Sequence, residues 1–422
     1  MAFSSYSPLQ HSERRLLLVL AGIQFTHILD FMIMMPLGPQ LIRTLHISTH
    51  EFGLLLSSYT FTAAASGLLA AMYVDRFDRR KLVLTLYMLF MVATLACGLA
   101  PGYLSLLLAR AAAGAFGGIL GALIQTVIAD LIPFERRGNA MGKVMAAFAV
   151  STVAGVPLGL LLAEHLPQLG WRAPFFFIVV LALPIWLGCR AVLPAMTAHL
   201  DRPYEGHILR RIFDIAREPA HMQAFAFVAL LMLTSFSVIP YIALYYTANL
   251  GVSEAQITLI YLVGGAATLF SSNWIGRLSD RHGKLRTFYW VAIAAFVPIL
   301  VTTHLVPVPF WFVLLNATVF FVLVSGRMIP GMAMATSVAP PPVRGTFMSL
   351  GGSVQMGASG LASLIGGLII GKNAAGEVVN YNLVGYLAIV FGLASLWMAS
   401  RLRLPAPPES AIAAADPAQV SK

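Results

Sequence analysis

"VDRFDRR", residues 74–80, sets a dense knot of Asp and Arg between two runs of oil, "GLLAAMY" before it and "LVLTLYMLFMVATLACGLA" after it. A related string, "SDRHGKLR", occupies 279–286, and Asp75 and Asp280 lie 205 residues apart in a chain of 422. The knot is written twice, once per half. Charged turns between apolar runs long enough to cross a bilayer are the pattern of a polytopic membrane protein.

Composition supports that pattern. The chain is 59% hydrophobic and 10% charged, against about 25% charged in an average soluble domain. It cannot cover its apolar surface in water. At roughly 20 apolar residues per span, twelve spans are predicted, ending near 41, 74, 100, 131, 166, 193, 247, 275, 304, 335, 370 and 400. The expected fold is an all-α membrane protein, twelve transmembrane helices in two six-helix pseudo-repeats around a central cavity. The net charge of +10 is a matter of position. All but five of the 27 Lys and Arg fall at the N-terminus, in the even-to-odd turns or in the C-terminal tail. Arg43, Arg172 and Lys372 lie on the opposite side, and Arg110 and Arg327 lie inside the membrane. That asymmetry predicts both termini and the knot in the cytoplasm of a bacterial inner-membrane protein, and argues against a nucleic-acid partner. The first apolar run is too long for a cleavable signal and reads as a retained anchor. Cys97 and Cys189 both fall in predicted spans, so neither a disulfide framework nor a metal cluster is expected.

The longest polar connection, 194–219, divides the chain into an N-terminal bundle (1–193) and a C-terminal bundle (220–403), with a Pro- and Ala-rich tail (404–422) read as disordered. Within the connection, "HILRRIFDIAR" sets Ile208, Ile212 and Ile215 near one helical face, suited to an amphipathic linker helix on the inner leaflet; an unstructured tether is the alternative. A second pair of landmarks supports the repeat: "PFERRGNAMG" after span 4 resembles "PPPVRGTFMS" after span 10, with Arg137 and Arg344 207 residues apart. A duplicated six-helix unit with the substrate path at the repeat interface is a transporter architecture.

At these residues the chain resembles the major facilitator superfamily over nearly its whole length. The family's loop signature, G-x-L-a-D-R-x-G-R-R/K, is matched by "AMYVDRFDRRK", with Ala71 and Asp78 in place of two glycines. The second copy, "GRLSDRHGK", keeps both as Gly276 and Gly283. "DFMIMMP" in span 1, "RAAAGAFGG" in span 4, and "GVPLG" and "GWR" around span 5 resemble the drug/proton antiporter and sugar-efflux branch. The resemblance implies a conformational latch: Asp75 at the N-terminus of span 11, where the helix dipole favours an anion, and Arg79 paired with Asp130 at the end of span 4. In the second copy Lys284 follows Asp280 as Arg79 follows Asp75, but Ser337 stands where Asp130 would, so that latch is expected to be weaker. The alternative is that these charges only fix topology.

A charge near the bilayer centre costs about 2.5–3.5 kcal/mol on insertion scales. Asp30 and Arg110 lie at comparable depth, ~10–16 Å and ~10 Å from the outer ends of spans 1 and 4, and meet if those spans face one another. His27 lies one turn before Asp30, and Gln24 three residues earlier. Asp30, with Arg110 and His27, is the predicted proton-coupling site, because burial and the arginine pull its proton affinity in opposite directions. A permanent orienting ion pair is the alternative. Arg327 has no acidic residue at similar depth in spans 7–12, so a carbonyl, a water or an anionic substrate is its expected partner. Gln24, Arg327, Tyr241, Tyr245, Tyr246 and Tyr261 are candidate substrate-cavity residues, against a packing role for the aromatics. Four-residue glycine spacings (Gly114 and Gly118, Gly117 and Gly121, Gly155 and Gly159, Gly367 and Gly371) allow close helix contact, and Pro157 is expected to bend span 5.

"GGLIIGKN", 366–373, nearly fits a phosphate-binding loop, but Asn373 replaces the metal-binding hydroxyl and no strand precedes it. The sequence holds no HExxH and no GxSxG. A gradient-driven carrier without cofactors is therefore expected. The reading is a monomeric secondary transporter that exports a small organic compound, a drug-like amphiphile or a sugar, in exchange for protons by alternating access. Proton-coupled or facilitated uptake is the alternative within the class. A transport-inactive receptor or a membrane enzyme is the alternative outside it.

Overall fold

The computed structural model describes residues 11–73, 77–197, 208–339 and 343–402. In lipid, each backbone polar group must be satisfied within its own segment, and a long apolar run without alternation does this as a helix. Among the described residues, twelve helices are long and apolar enough to cross a membrane. The first six spans are α1 (His11–Ile33), which a short α2 (Gly38–Leu45) follows, α3 (Thr49–Tyr73), α4 (Arg79–Leu99), α5 (Tyr103–Leu131), α6 (Phe134–Val150) running into α7 (Val156–His165), and α8 (Ala173–Val192). A linker helix α9 (Ile208–Arg217) follows. The last six are α10 (Pro219–Phe236) with α11 (Ile242–Leu250), α12 (Glu254–His282), α13 (Lys284–His304), α14 (Phe310–Gly326) with α15 (Met328–Ser337), α16 (Arg344–Ile369) and α17 (Tyr381–Arg401). An antiparallel pair, β1 (Gly371–Lys372) and β2 (Val378–Val379), joins α16 to α17.

Four spans change course, and each does so four residues before a proline. A proline has no N–H to give the carbonyl of residue i−4, and its ring crowds that carbonyl. Pro36 thus orphans Met32, and α1 stops at Ile33, short of the predicted end near 41; Met35 donates to the Met32 carbonyl in a tight turn instead (3.3 Å). Pro157 does the same to Val153, which lies in a π turn, Ser151–Gly155, between α6 and α7. Pro240 and Pro330 act on Phe236 and Gly326, where α10 and α14 end.

The face carrying the knot and α9 is called here the basic face. At the opposite face a single apolar core takes in both halves: Leu29, Ile33, Phe52 and Trp171 belong to the same cluster as Tyr241, Tyr246, Ile299 and Tyr381. Towards the basic face the core divides. Leu20, Phe90, Leu123 and Val144 pack within the first half, and Phe227, Phe288, Met334 and Phe347 within the second. The halves are therefore joined at one face and separately packed at the other, with α3 against α16 as the longest seam between them. The linker helix α9 lies against α3, α10 and α16, with Ile215 buried and Arg217 stacked 4.1 Å over Phe213.

Inside the first half, small residues set the spacing of α3 and α5. A Cβ on Gly114 would lie 2.1 Å from the Tyr59 carbonyl oxygen, and one on Gly118 2.5 Å from that of Ala63. Both are backbone atoms that cannot step aside. Gly121, by contrast, has open space where a Cβ would go. Gly114→Val is expected to destabilise the bundle by at least the ~1–3 kcal/mol typical of overpacking, and Gly121→Val to be close to neutral. Thermal melts of the two purified proteins in detergent check this; equal melting temperatures would refute it.

Candidate functional site

Asp30 lies in the last turn of α1, where helix carbonyls look outside the helix for donors. Arg110, on α5, supplies them: its Nη1 donates to the Asp30 carboxylate at 2.7 Å and to the Asp30 backbone carbonyl at 3.2 Å. Thr94, on α4, donates to the other carboxylate oxygen at 3.3 Å. Both charged side chains are 0% exposed. The guanidinium carbon also sits 4.3 Å over the Tyr59 ring, a cation–π contact that counts for more once desolvated. Spans 1 and 4 therefore face one another as expected.

His27 stands one turn before Asp30. Its ring lies 6.4 Å from that of Tyr59 and 6.0 Å from that of Phe90. Gly117 makes room for both groups, since a Cβ there would sit 2.8 Å from His27 Cδ2 and 2.8 Å from the Tyr59 hydroxyl. Among the described residues, His27 Nδ1, the Tyr59 hydroxyl, and Arg110 Nε and Nη2 have no hydrogen-bond partner. Buried polar groups are normally paired, and here four without a protein partner surround a single carboxylate. Gln24 is also buried, and makes no hydrogen bond among the described residues.

Tyr59 connects this cluster to the other half. Its ring stacks on Phe31 at 5.5 Å, and Phe31 meets Phe236 of α10 at 5.9 Å. Neither Thr94 nor Tyr59 was expected from the sequence; both are ordinary residues in apolar spans, and only the helix packing brings them to Asp30.

Arg327 lies at the α14/α15 junction, fully buried, with Nη2 donating to the Ser235 hydroxyl at 2.8 Å. Among the described residues, its Nε and Nη1 have no partner. The protein partner is thus a side-chain hydroxyl, a group outside the three expected partners, a carbonyl, a water or an anionic substrate. Ser235 stands 205 residues after Asp30, the offset that separates Asp75 from Asp280. The repeat puts a hydroxyl where the first half has a carboxylate, and that offset was the available signal for it.

Three of the four tyrosines take the packing position that was the alternative to a cavity role. Tyr241 is fully buried and donates to the Ser363 carbonyl at 2.5 Å, and Tyr245 donates to the Leu305 carbonyl at 2.7 Å. Tyr246 is also fully buried and donates to Thr302 at 3.5 Å. All three belong to the shared opposite-face core, as does Tyr261. Tyr241 fills a notch in the seam, its hydroxyl 2.7 Å from where a Cβ would stand on Gly53 and 2.8 Å from one on Gly367. Tyr261 is buried against Phe321, 5.4 Å away, and its hydroxyl has no partner among the described residues.

Of the expected first latch, one ion pair falls within the described residues. Arg79 and Asp130 form an ion pair; Asp75 lies outside the described residues. In the second copy, Asp280 and Lys284 are exposed and form no ion pair among the described residues. The Ser337 hydroxyl is bonded to the Met334 carbonyl. With no carboxylate at the place of Asp130, nothing assembles the second copy.

The opposite face holds a tie that the sequence reading missed. Glu254, in the first turn of α12, pairs with Arg43 of α2 and accepts from Gln40 at 2.6 Å. Thr49 donates to the Ile370 carbonyl, and Ser57 to that of Gly360 at 2.8 Å. Among the described residues, the hydrogen bonds and ion pairs that cross between the halves are these, all towards the opposite face. Burial and the positive charge of Arg43 hold the Lys372 ammonium, in the β1 strand beside this tie, below the usual lysine range. Among the described residues no cluster of His, Cys, Asp or Glu is arranged to hold a metal ion.

Two six-span bundles that share a core at one face and part at the other make the fold of a membrane transporter. The chain belongs to the Major Facilitator Superfamily, whose model matches residues 20–220 and 224–421. It is 25% identical over 374 residues to the "Uncharacterized MFS-type transporter YceJ" of Bacillus subtilis (strain 168), covering 86% of this chain and 90% of that one. Among solved structures it is similar to a bacterial homologue of the human lysosomal transporter Spinster in an inward-facing and occupied conformation. That match has a TM-score of 0.73 at 16% identity, covering 95% of this chain and 100% of the other. A D-xylose–proton symporter matches with a TM-score of 0.72 at 17% identity, covering 93% and 98%. The protein is an integral membrane transporter of this superfamily.

Removing one member of a buried ion pair typically costs about 3–5 kcal/mol, while replacing both by apolar groups of similar volume is often neutral. Arg110→Met is therefore expected to lower the melting temperature strongly, and Asp30→Leu/Arg110→Met to recover most of the loss. A double variant no more stable than Arg110→Met would show that the arginine is not held there by Asp30.

Proposed function

We propose that this protein is a proton-coupled secondary transporter that exports a small organic compound by alternating access, with Asp30 as the coupling carboxylate. The observation that carries this is the chain of contacts from Asp30 through Arg110, Tyr59 and Phe31 to Phe236 of the other half. Among the described residues Asp30 is the only buried carboxylate, and it sits where a rocking motion of the halves would be felt. If that motion draws Arg110 aside, a bare carboxylate at this depth is costly, and taking up a proton removes the cost. His27 and the unpaired Tyr59 hydroxyl lie beside the path such a proton would follow.

On this reading the basic face is cytoplasmic, by its excess of Lys and Arg, and the membrane is the bacterial inner membrane. Joined at the opposite face and separately packed towards the basic one, the chain is then in an inward-facing state. The Arg79–Asp130 pair is already formed in this state, so on this reading it positions the proposed cytoplasmic latch and is not itself the contact that opens and closes. Gln24, Arg327 and Tyr261 are the proposed substrate contacts. The unpaired Nε and Nη1 of Arg327 favour a neutral polar or anionic compound over a cation. Uptake in symport with protons is the second reading, favoured by the likeness to a D-xylose–proton symporter.

Accumulation of a panel of labelled compounds in efflux-deficient cells tests the proposal, with and without a protonophore. Expression should lower the accumulation of at least one compound several-fold, and both the protonophore and Asp30→Asn, checked for membrane insertion, should abolish the effect. Wild-type export by Asp30→Asn would remove Asp30 from the coupling step, and raised accumulation would put uptake in place of export. With the exported compound in hand, Arg327→Gln should raise its half-saturating concentration about tenfold while leaving the protonophore effect intact. An unchanged concentration dependence would make Arg327 structural.

A further inference from the structure

Between the basic-face ends of α4 and α8 lies a cavity of about 430 Å3 whose rim carries Arg80, Lys81 and Arg190, with Asp78, over a floor of Leu84 and Trp186. The Asp78 carboxylate is already committed: one oxygen accepts from the backbone N–H of Arg80 at 2.9 Å and of Met196 at 3.1 Å. Arg80 reaches across the cup to donate to the Arg190 carbonyl at 2.7 Å, and the Trp186 indole N–H donates to the Leu84 carbonyl at 3.0 Å, so the two helices are tied at its base. Lys81 and the Arg190 side chain are exposed and bonded to nothing among the described residues. Three cations against one carboxylate leave an excess of positive charge with donors unspent.

The apolar surface next to the cup indicates what covers it. On α4, Met88 and Val92 follow Leu84 at four-residue steps and are both exposed; on α8, Leu187, Leu183 and Val180 run back from Arg190 and are exposed as well. At 1.5 Å per residue these stripes extend ~12–15 Å from the cup, about half of a ~30 Å hydrocarbon core. A basic cup with two apolar stripes one leaflet long fits a molecule with an anionic head and acyl chains of that length. We propose that the α4/α8 cup binds an anionic glycerophospholipid, its phosphate held by Lys81, Arg190 and Arg80 and its acyl chains lying along Met88, Val92, Leu187 and Leu183. Trp186 then has the amphipathic position that indoles take at the membrane–water boundary. The site lies on the flank of the first bundle and is independent of the proposed transport path.

Native mass spectrometry of the full chain in detergent, titrated with phosphatidylglycerol, tests this. Lys81→Gln/Arg190→Gln removes two exposed charges and no bond seen in the structure; a detergent melt confirms that it is folded. Its affinity for the most tightly held phosphatidylglycerol should fall about tenfold or more, since each basic group near a membrane surface contributes appreciably to holding an anionic lipid. Arg277→Gln/Arg281→Gln, an equal charge removal elsewhere on the basic face, should leave that affinity unchanged, and phosphatidylcholine should bind wild type no better than the variant. Equal weakening by both double variants would overturn the proposal in favour of bulk charge alone. Displacement of the lipid by low-millimolar inorganic phosphate would overturn it in favour of a soluble phosphate compound. Wild-type lipid affinity in Lys81→Gln/Arg190→Gln would remove the site.

Discussion

The shape of this transporter depends on how closely α3 and α16 approach. Tyr241 pushes its ring between Gly53, Gly366 and Gly367, where Cβ atoms would stand 2.6–2.8 Å from it. That contact closes the opposite face into one apolar core covering both halves. Hydrophobic burial is non-directional, so what makes this seam specific is the absence of side chains at three glycines and the hydrogen bonds through which Tyr241, Ser57 and Thr49 reach α16 carbonyls. Towards the basic face no such shared core forms, and each bundle packs on itself. On the proposed function, a joint at one face and a division at the other are what a rocking motion of the halves requires.

The buried pair of Asp30 and Arg110 is best understood against that joint. In hydrocarbon the desolvation of two ions exceeds what a single contact returns, so the pair is poor evidence of a stability role. Three helices converge on the carboxylate, and among the described residues Arg110 Nε and Nη2, His27 Nδ1 and the Tyr59 hydroxyl beside it have no hydrogen-bond partner. Tyr59 touches both the guanidinium and Phe31, and Phe31 touches the other half. Movement at the seam and charge at Asp30 thus share a physical link.

The two halves share six spans each and differ in charge. Ser235 stands at the offset of Asp30, and Ser337 at that of Asp130. Lys284, 205 residues after Arg79, lacks the carboxylate that Arg79 meets, and Arg327, although 217 residues after Arg110 and so not at its repeat position, meets a hydroxyl where Arg110 meets a carboxylate; the consequences differ with depth. Lys284 is exposed, where water satisfies it. Arg327 is fully buried, where only Ser235 does so among the described residues. The loss of one carboxylate within the membrane therefore matters more than the loss of one at its edge.

The number and order of the spans, the division into two repeats, the intramembrane charges and their common depth could all be read from the chain. Each follows from local quantities: apolar run length, the spacing of charges, and the proline that orphans a carbonyl four residues back. The break after Ile33 was legible by the same rule, though the run of apolar residues across Pro36 hid it. Residues whose role depends on which helix lies opposite were not legible. Thr94, Tyr59 and Phe31 are unremarkable in their own spans, Tyr241 and Tyr245 looked like cavity aromatics until their hydroxyls met carbonyls of α16 and of the α13 end, and Glu254 found Arg43 across 211 residues of chain. Sequence by itself determined where charge must be hidden, because the cost of an unpaired charge in hydrocarbon is set mainly by its depth. Tertiary structure decided what each charge meets, because that depends on which faces of distant helices small residues allow to touch.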